Sequence, residues 1–286
     1  MKNPKLKRLC AVLMAATIST SLFIGCGNSN EQSKANNTST GVKQEIIYNL
    51  GADPQTIDPV LNTAIDGSNV IVNAFEGLMI LNDKNEAEPA AAESYEVSDD
   101  GLVYTFKLRE NGKWSDGEPV TANDFYYAWM RGMDKATAAE YCYQFFYIKN
   151  AEKYYNGEVS ADEVGLKVLD DYTLEVTLEA PTAYFTQLLA HQTYSPVRED
   201  IVSANPDTWA TSPETYIGNG AFKLVQWDMK DQLVFEKNEN YWDADNVKLE
   251  KMAKKATDYI TGNERSLGAF KKLRWEDVLE IYKLAK

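Results

Sequence analysis

The sequence is poor in the residues on which most hydrolases and metal sites depend. Its 286 residues include one histidine, His191, and three cysteines, Cys10, Cys26 and Cys142. A lone histidine with no G-x-S-x-G motif argues against a serine or cysteine hydrolase, and no Cys/His cluster offers a zinc site. No phosphate-binding glycine loop for ATP hydrolysis is present. The sequence therefore predicts a protein that is not an enzyme and that needs no metal or cofactor.

Positive charge is also scarce. The chain has 29 Lys and Arg against 43 Asp and Glu, a formal net charge of −14 at pH 7. Nucleic-acid binding needs an excess of Lys and Arg to neutralise phosphates, so nucleic acid is not expected as a partner. A hydrophobic content of 44% is enough to bury a core, and the length allows one large domain or two ordinary ones.

The N-terminus predicts export and a lipid anchor. Four basic residues within the first eight positions precede an apolar run over residues 9–24, which is interrupted by Thr and Ser. This run is too short for a confident membrane span. It ends in the sequence LFIGC, which resembles a bacterial lipobox. We expect residues 1–25 to be a signal peptide and Cys26 to carry the lipid, the alternative being an ordinary secretory peptide.

Residues 26–43 follow as a predicted flexible tether, because they are rich in Asn, Ser and Thr and have few apolar side chains to bury. Such a tether would hold the folded part at the outer face of the bacterial cell membrane, or in the periplasm. With Cys10 removed and Cys26 lipidated, Cys142 has no partner for a disulfide. Its aromatic neighbours predict a small buried residue.

From Glu45 onward the sequence alternates between strand and helix patterns. Residues 46–50 are typical of a strand, residues 67–77 of a helix, and residues 159–178 of a hairpin. A helix is expected after Pro181, and two further strands over residues 222–227 and 233–237. The mixture predicts an α/β or α+β architecture.

One stretch, residues 101–125, predicts a rigid corner. Tyr104, Phe106 and Leu108 alternate with polar residues, as in a half-buried strand. Two turn dipeptides, Asn-Gly and Asp-Gly, follow. Thr121 with Asp124 three residues later is a capping box that predicts the start of a helix.

A series of motifs resembles the peptide-binding family of extracellular solute-binding proteins, family 5, which includes the oligopeptide- and dipeptide-binding lipoproteins of ABC importers. The matching motifs, spread in order over residues 45–250, are DP at 58–59, FEGL at 75–78, Pro89 with AESY at 92–95, YTFKLRENGKWSDGEPVTANDF at 104–125, LEVTL at 174–178, SPV at 195–197, GNGAF at 218–222 and NYW at 240–242.

The resemblance implies a fold like that of type II periplasmic binding proteins, a two-lobed clamp that closes on its ligand. Residues 44–75 and 199–252 would form an incomplete first lobe, and residues 76–198 a small extra domain. A peptide would lie extended between the lobes and pair its backbone with the protein. Permease subunits with separate ATPase subunits would be the partners.

The resemblance also implies the ligand-binding residues. Thr63, Ala64 and Ile65 would pair with the peptide, and Tyr141 would face the ligand cleft. Residues 63–65 could instead be a plain surface loop, and Tyr141 a core aromatic residue.

The chain departs from the family in its length and in its last part. Family members are markedly longer, and their second large lobe follows the point that this chain reaches at Leu249. Residues 253–286 predict an atypical basic helical tail with Trp275, Leu279 and Tyr282 on one stripe. Without a second lobe, we expect impaired peptide binding. The alternatives are a surface interaction or chaperone-like protein without transport, a hydrolase, and a binder of another family ligand such as a sugar or nickel, although a single histidine disfavours nickel.

Overall fold

Short alternating segments form two four-stranded sheets and a two-stranded ribbon in the computed structural model, which describes residues 44–255. The strands are β1 (Glu45–Asn49), β2 (Met79–Leu81), β3 (Ala87–Pro89), β4 (Ala92–Val97), β5 (Val103–Leu108), β6 (Leu166–Asp170), β7 (Thr173–Thr177), β8 (Phe222–Asp228), β9 (Gln232–Lys237) and β10 (Lys251–Lys255). The α-helices are α1 (Ile65–Ala74), α2 (Ala122–Met133), α3 (Ala151–Tyr155), α4 (Phe185–Leu188) and α5 (Glu199–Ala204). Short 3₁₀ helices cover Lys135–Thr137, Cys142–Tyr147, Ala161–Glu163, Gln192–Tyr194 and Ala244–Asn246.

Several predictions from the sequence lie outside the described residues. These are the signal peptide, the lipidation of Cys26, the tether up to residue 43, and the tail from residue 256 onward. Within residues 44–255 the helices are all too short or too polar to cross a membrane.

The first sheet has the strand order β1-β10-β9-β8. β1 pairs with β10 in parallel, and the other neighbours are antiparallel. Since β10 runs to Lys255 inside this sheet, residues 253–255 are strand and not part of a helical tail, which corrects the predicted boundary after residue 252. The pairing of β1 with β10 joins residues about two hundred positions apart, so no local pattern could show it.

The second four-stranded sheet has the order β4-β5-β7-β6 and is antiparallel throughout. It confirms the predicted hairpin, formed by β6 and β7, and the predicted corner strand, β5. Tyr104, Phe106 and Leu108 all face the core, where α2 packs against β6 and β7. α2 begins directly after Thr121, whose backbone N–H donates to the Asp124 carboxylate at 2.7 Å, as the capping box predicts.

The corner between β5 and α2 is bonded to the segments that precede β8 and follow β9 of the first sheet. The Ser115 N–H donates to the Gly218 carbonyl at 2.8 Å, and the Asn240 amide donates to the Ser115 carbonyl at 3.1 Å. The fully buried Trp114 ring meets Phe75 edge-on, with ring centroids 6.4 Å apart. The motifs that carry the family resemblance thus meet at one junction.

Apart from residues 253–255 of β10, the strands of the first sheet come from the segments predicted as the first lobe. Those of the ribbon and the second sheet come from residues 76–198. The described residues belong to one compact unit, and the division into a lobe and an extra domain stays a prediction.

Candidate functional site

Residues 63–65 are held in place by the buried side chain of Asn62. Its amide nitrogen donates to the Ala64 carbonyl at 2.9 Å and to the Ser68 hydroxyl oxygen at 3.1 Å, and its amide oxygen accepts from the Ala64 N–H at 3.3 Å. Gly67 makes room for this amide, because a Cβ at that position would lie 2.0 Å from the Asn62 Oδ1. Both backbone groups of Ala64 are therefore used within the protein.

Thr63 and Ile65 differ from Ala64 in this respect. Among the described residues, the N–H and the carbonyl of Thr63 and the N–H of Ile65 have no hydrogen-bond partner. Ile65 is the first residue of α1, and N–H groups of a first helical turn have no partner within the helix. Thr63 is exposed, and the Ile65 side chain is 80% exposed. Two of the three predicted pairing residues can thus offer backbone groups to a ligand.

Tyr141 precedes the 3₁₀ helix Cys142–Tyr147 and is half-buried. Its ring meets Tyr143 and His191 edge-on, with centroid distances of 5.9 Å to each. The Tyr141 ring is therefore partly accessible and lies between two exposed residues. It is neither a fully buried core residue nor a fully exposed one. Cys142 is also half-buried, so the predicted buried position of Cys142 is wrong.

His191 contacts the Tyr141 ring, and its neighbour Gln192 bonds to Asn62, the residue that precedes residues 63–65. The buried Gln192 side chain donates through Nε2 to the Asn62 carbonyl at 3.3 Å, and His191 is its neighbour in the chain. We group Thr63, Ile65, Tyr141, Tyr143 and His191 as the candidate ligand-binding residues. Sequence reasoning did not connect His191 and Gln192 with them, since the link to Asn62 spans 130 residues and leaves no local signal.

His191 has the surroundings of a hydrogen-bonding residue. Its Nδ1 lies 3.1 Å from the Thr193 hydroxyl and accepts from the Thr193 N–H at 3.3 Å. Although part of the side chain is exposed, desolvation of the ring by its packed neighbours lowers the pKa of the imidazole below its ordinary value. The ring is therefore uncharged at neutral pH.

The loop that leads to residues 63–65 is anchored by the buried carboxylate of Asp58. Arg131 of α2 donates to both of its oxygens, at 3.1 and 2.6 Å. Trp209 donates its indole N–H at 3.3 Å and Val60 its backbone N–H at 3.1 Å. Since such a paired fork of hydrogen bonds is geometrically specific, Asp58 fixes the loop against α2 and the segment around Trp209.

A groove of about 790 Å³ lies away from these residues, at one end of the second sheet. Its lining is mainly polar and includes Glu93, Lys107, Arg109, Asp170 and Asp171. None of the predicted ligand-binding residues lines it. Within residues 44–255, no group of three or more His, Cys, Asp or Glu side chains is arranged to hold a metal ion.

Comparison with known proteins identifies the family. Residues 86–261 match the family model described as bacterial extracellular solute-binding proteins, family 5 Middle. The dipeptide-binding protein DppE of Bacillus subtilis is 38% identical over 252 residues, which cover 87% of this chain and 46% of that protein. The periplasmic oligopeptide-binding protein OppA of Salmonella typhimurium is 42% identical over 203 residues, covering 70% of this chain and 37% of that protein.

Solved structures agree with this result. The substrate-binding domain of an oligopeptide ABC transporter from Bacillus anthracis superposes with a TM-score of 0.74 at 41% identity, covering 75% of this chain and 42% of that one. Listeria monocytogenes OppA bound to peptide gives a TM-score of 0.73 at 39% identity, covering 75% and 43%. The chain spans less than half the length of these relatives. Its mixed α/β fold is like that of the type II periplasmic binding proteins, and the family is one of solute binders and not of enzymes. The chain belongs to the bacterial extracellular solute-binding proteins of family 5.

Proposed function

We propose that this chain provides the first-lobe wall of a peptide-binding protein that serves an ABC importer. The observation that carries the proposal is the pair of open backbone sites at Thr63 and Ile65. Similar proteins are named as dipeptide- and oligopeptide-binding proteins, which supports a peptide as the ligand.

In the proposed mode of binding, an extended peptide pairs its backbone with the protein. Its carbonyls accept from the N–H groups of Thr63 and Ile65, and one of its N–H groups donates to the Thr63 carbonyl. Main-chain pairing of this kind is indifferent to the side chains of the ligand. Tyr141 forms the adjoining wall.

The proposal also includes export of the chain and delivery of the bound peptide to a permease. The chain is anchored through a lipid on Cys26 to the outer face of the cell membrane, and it delivers peptide to permease subunits that are driven by separate ATPase subunits. Because the described residues offer only three open backbone groups at this site, we propose that these groups alone bind peptide weakly. Three backbone hydrogen bonds, worth about 0.5–1.5 kcal/mol each, correspond to a dissociation constant between about 0.5 and 80 mM.

A second candidate ligand is a small amphipathic molecule. A relative from Escherichia coli, 35% identical over 253 residues, is named a probable deoxycholate-binding periplasmic protein. The 80% exposed side chain of Ile65 offers such a ligand an apolar contact that needs no backbone N–H.

Substitution of Ile65 separates the two candidates. Ile65→Pro removes the open N–H but should leave α1 intact, since proline is favoured at the first helical position. The preceding residue, Ala64, already has the extended φ and ψ of −108° and 149° that proline requires. We expect Ile65→Pro to weaken binding of trialanine about threefold to tenfold, the loss of one hydrogen bond, as measured by NMR titration.

Ile65→Ala is the matched control, because it removes the side chain and keeps the N–H. Peptide binding should survive in it nearly unchanged. If Ile65→Ala abolished binding and Ile65→Pro did not, the ligand would depend on the side chain, and an amphipathic molecule would replace the peptide as the preferred ligand.

A further inference from the structure

One face of the first sheet carries an apolar row. In the strand register, Ile47 of β1 lies opposite Ala253 of β10, and Ala253 lies opposite Val234 of β9. Residues opposite each other on neighbouring strands project their side chains to the same face of a sheet. We call Ile47, Ala253 and Val234 the apolar row. Ile47 is 53% exposed, so water reaches the β1 end of the row.

The other face of this sheet is covered by α1. The register places Tyr48, Lys254 and Leu233 in the adjacent row, and successive residues of a strand point to opposite faces. The Tyr48 hydroxyl and the Lys254 amine both donate to the Asn69 carbonyl of α1. The apolar row therefore lies on the face that is turned away from α1.

The described core does not account for the cover of the apolar row. Among residues 44–255, α1 is the helix with the main contact to this sheet. Ala253 and Val234 are buried, yet neither belongs to the main cluster of core side chains. An apolar sheet face must pack against another element to be removed from water. The apolar row thus lacks a covering element within the described part of the chain.

The chain that follows β10 starts at this sheet. β10 ends at Lys255, which lies between Asn49 of β1 and Gln232 of β9, so residues 256–286 leave from an inner strand. Their sequence contains apolar residues at helical spacing, which form a single stripe. The stripe consists of Trp275, Val278, Leu279, Tyr282 and Ala285.

The dimensions of such a helix fit the sheet. A helix over residues 272–285 would be about 21 Å long, and four strands about 4.8 Å apart span about 14 Å. The connection over residues 256–271 can reach roughly 50 Å when fully extended, which is ample for a return to the sheet. Because this segment is tethered to β10, its effective concentration at the apolar row is in the millimolar range, which favours it over a second copy of the chain.

We propose that residues 272–285 form an amphipathic helix that docks its apolar stripe on the apolar row. The first sheet is then packed on both faces within one chain, with α1 on one side and this helix on the other. The inference is independent of the proposed function, because residues 63–65 precede α1 on the opposite side of the sheet.

Hydrogen–deuterium exchange of the full chain, followed by mass spectrometry, tests the docking. We expect residues 272–285 to be protected from exchange. Ile47→Asp should increase their exchange at least about tenfold, which is the effect of losing the burial of one Ile side chain. Leu169→Asp is the matched control, because Leu169 is also 53% exposed but lies on β6 of the second sheet. Protection should persist in this control.

Leu279→Asp tests the same contact without altering the sheet. It should move the NMR signals of the Ile47 methyl groups, whereas Glu280→Gln, on the polar side of the predicted helix, should not. Rapid exchange of residues 272–285 in the unaltered chain, protection that survives Ile47→Asp, or Ile47 signals that stay in place in Leu279→Asp would overturn the inference. Protection that rises with protein concentration would show that a second copy covers the apolar row, and would overturn it as well.

Discussion

Lys254 shows how much one residue can depend on contacts that are distant in sequence. Its side chain is fully buried in β10, where its amine donates to the Asn69 carbonyl of α1. The rings of Tyr48 and Phe235 lie 5.2 and 5.0 Å away. Burial holds the pKa of the amine well below 10.5. From the sequence alone Lys254 falls in the predicted basic tail. Its position inside the sheet depends on the pairing of β10 with the distant β1, which no local pattern shows.

Stability should rise with pH because of Lys254. In the unfolded chain the amine keeps its proton up to the ordinary pKa near 10.5, whereas in the folded chain it loses the proton at lower pH. Between these two values the unfolded state binds more protons, so the free energy of unfolding increases as pH rises. We expect the urea midpoint to increase from pH 7 to pH 9.5, and Lys254→Met to remove this increase and to be more stable at pH 7.

Lys251→Met provides the comparison on the same strand. Lys251 is partly exposed, and its amine lies 3.8 Å from the Glu236 carboxylate. Its loss should leave the pH dependence of stability unchanged. The same slope in Lys254→Met and in the unaltered protein would contradict the assignment to the buried amine.

The four predicted ligand-binding residues differ in whether their backbone groups are available to a ligand. Thr63, Ala64, Ile65 and Tyr141 came from resemblance alone, and their roles stay predictions. The structure distinguishes among them, because the Ala64 backbone is already satisfied by Asn62. No sequence pattern could have shown this, since an Asn side chain can bond to many nearby backbone groups.

At the scale of elements, the C-terminal end of α1 packs against the GNGAF loop. The Gly220 N–H donates to the Ala74 carbonyl at 2.8 Å. A Cβ on Gly218 would lie 1.9 Å from that carbonyl oxygen. We expect Gly218→Ala to lower the free energy of unfolding by about 1–3 kcal/mol through overpacking, as measured by urea denaturation.

Gly112→Ala serves as the control for this substitution. Its Cβ would approach the Arg109 carbonyl only to 3.1 Å, so a small shift of the turn should accommodate it at a cost below about 1 kcal/mol. If the two variants unfolded at the same denaturant concentration, close backbone contact would not be the reason for glycine at position 218.

The ion pair between Asp58 and Arg131 joins the loop after β1 to α2. Its side chains are 3% and 13% exposed. Removal of one partner should leave a buried, unpaired charge, so Arg131→Met should cost about 3–5 kcal/mol. Asp58→Asn combined with Arg131→Met should be more stable than Arg131→Met alone, because the buried charge is gone. Additive losses in a double-mutant cycle would show that the two residues are not coupled.

Elements with local signals were predictable, and those that depend on distant pairing were not. The capping box at Thr121 and the hairpin of β6 and β7 are encoded within a few residues, and both are confirmed. α1 begins at Ile65 rather than at residue 67, because the buried Asn62 amide organises its first turn. The strand nature of residues 253–255 depends on β1 and β9, so the sequence alone could not show it.

At the scale of the whole molecule, the motifs of the family resemblance meet at the junction between the two sheets. The Glu76 N–H donates to the Asn219 side chain, and the Asn219 amide donates back to the Glu76 carbonyl, both at 2.9 Å. The Trp242 indole donates to the Glu76 carboxylate, and the Arg109 guanidinium lies 3.7 Å from the centre of the Trp242 ring. These residues build the scaffold, which explains why they identify the family firmly but indicate the ligand only indirectly.

The central claim is that a peptide pairs with the backbone at residues 63–65. The most direct measurement is an NMR titration of the ¹⁵N-labelled chain with trialanine up to about 100 mM. The account predicts saturable shifts of the Thr63, Ile65 and Tyr141 amide signals, with a dissociation constant in the millimolar range, between about 0.5 and 80 mM. Shifts confined to the polar groove around Lys107 and Asp171, or no shifts at all, would contradict it.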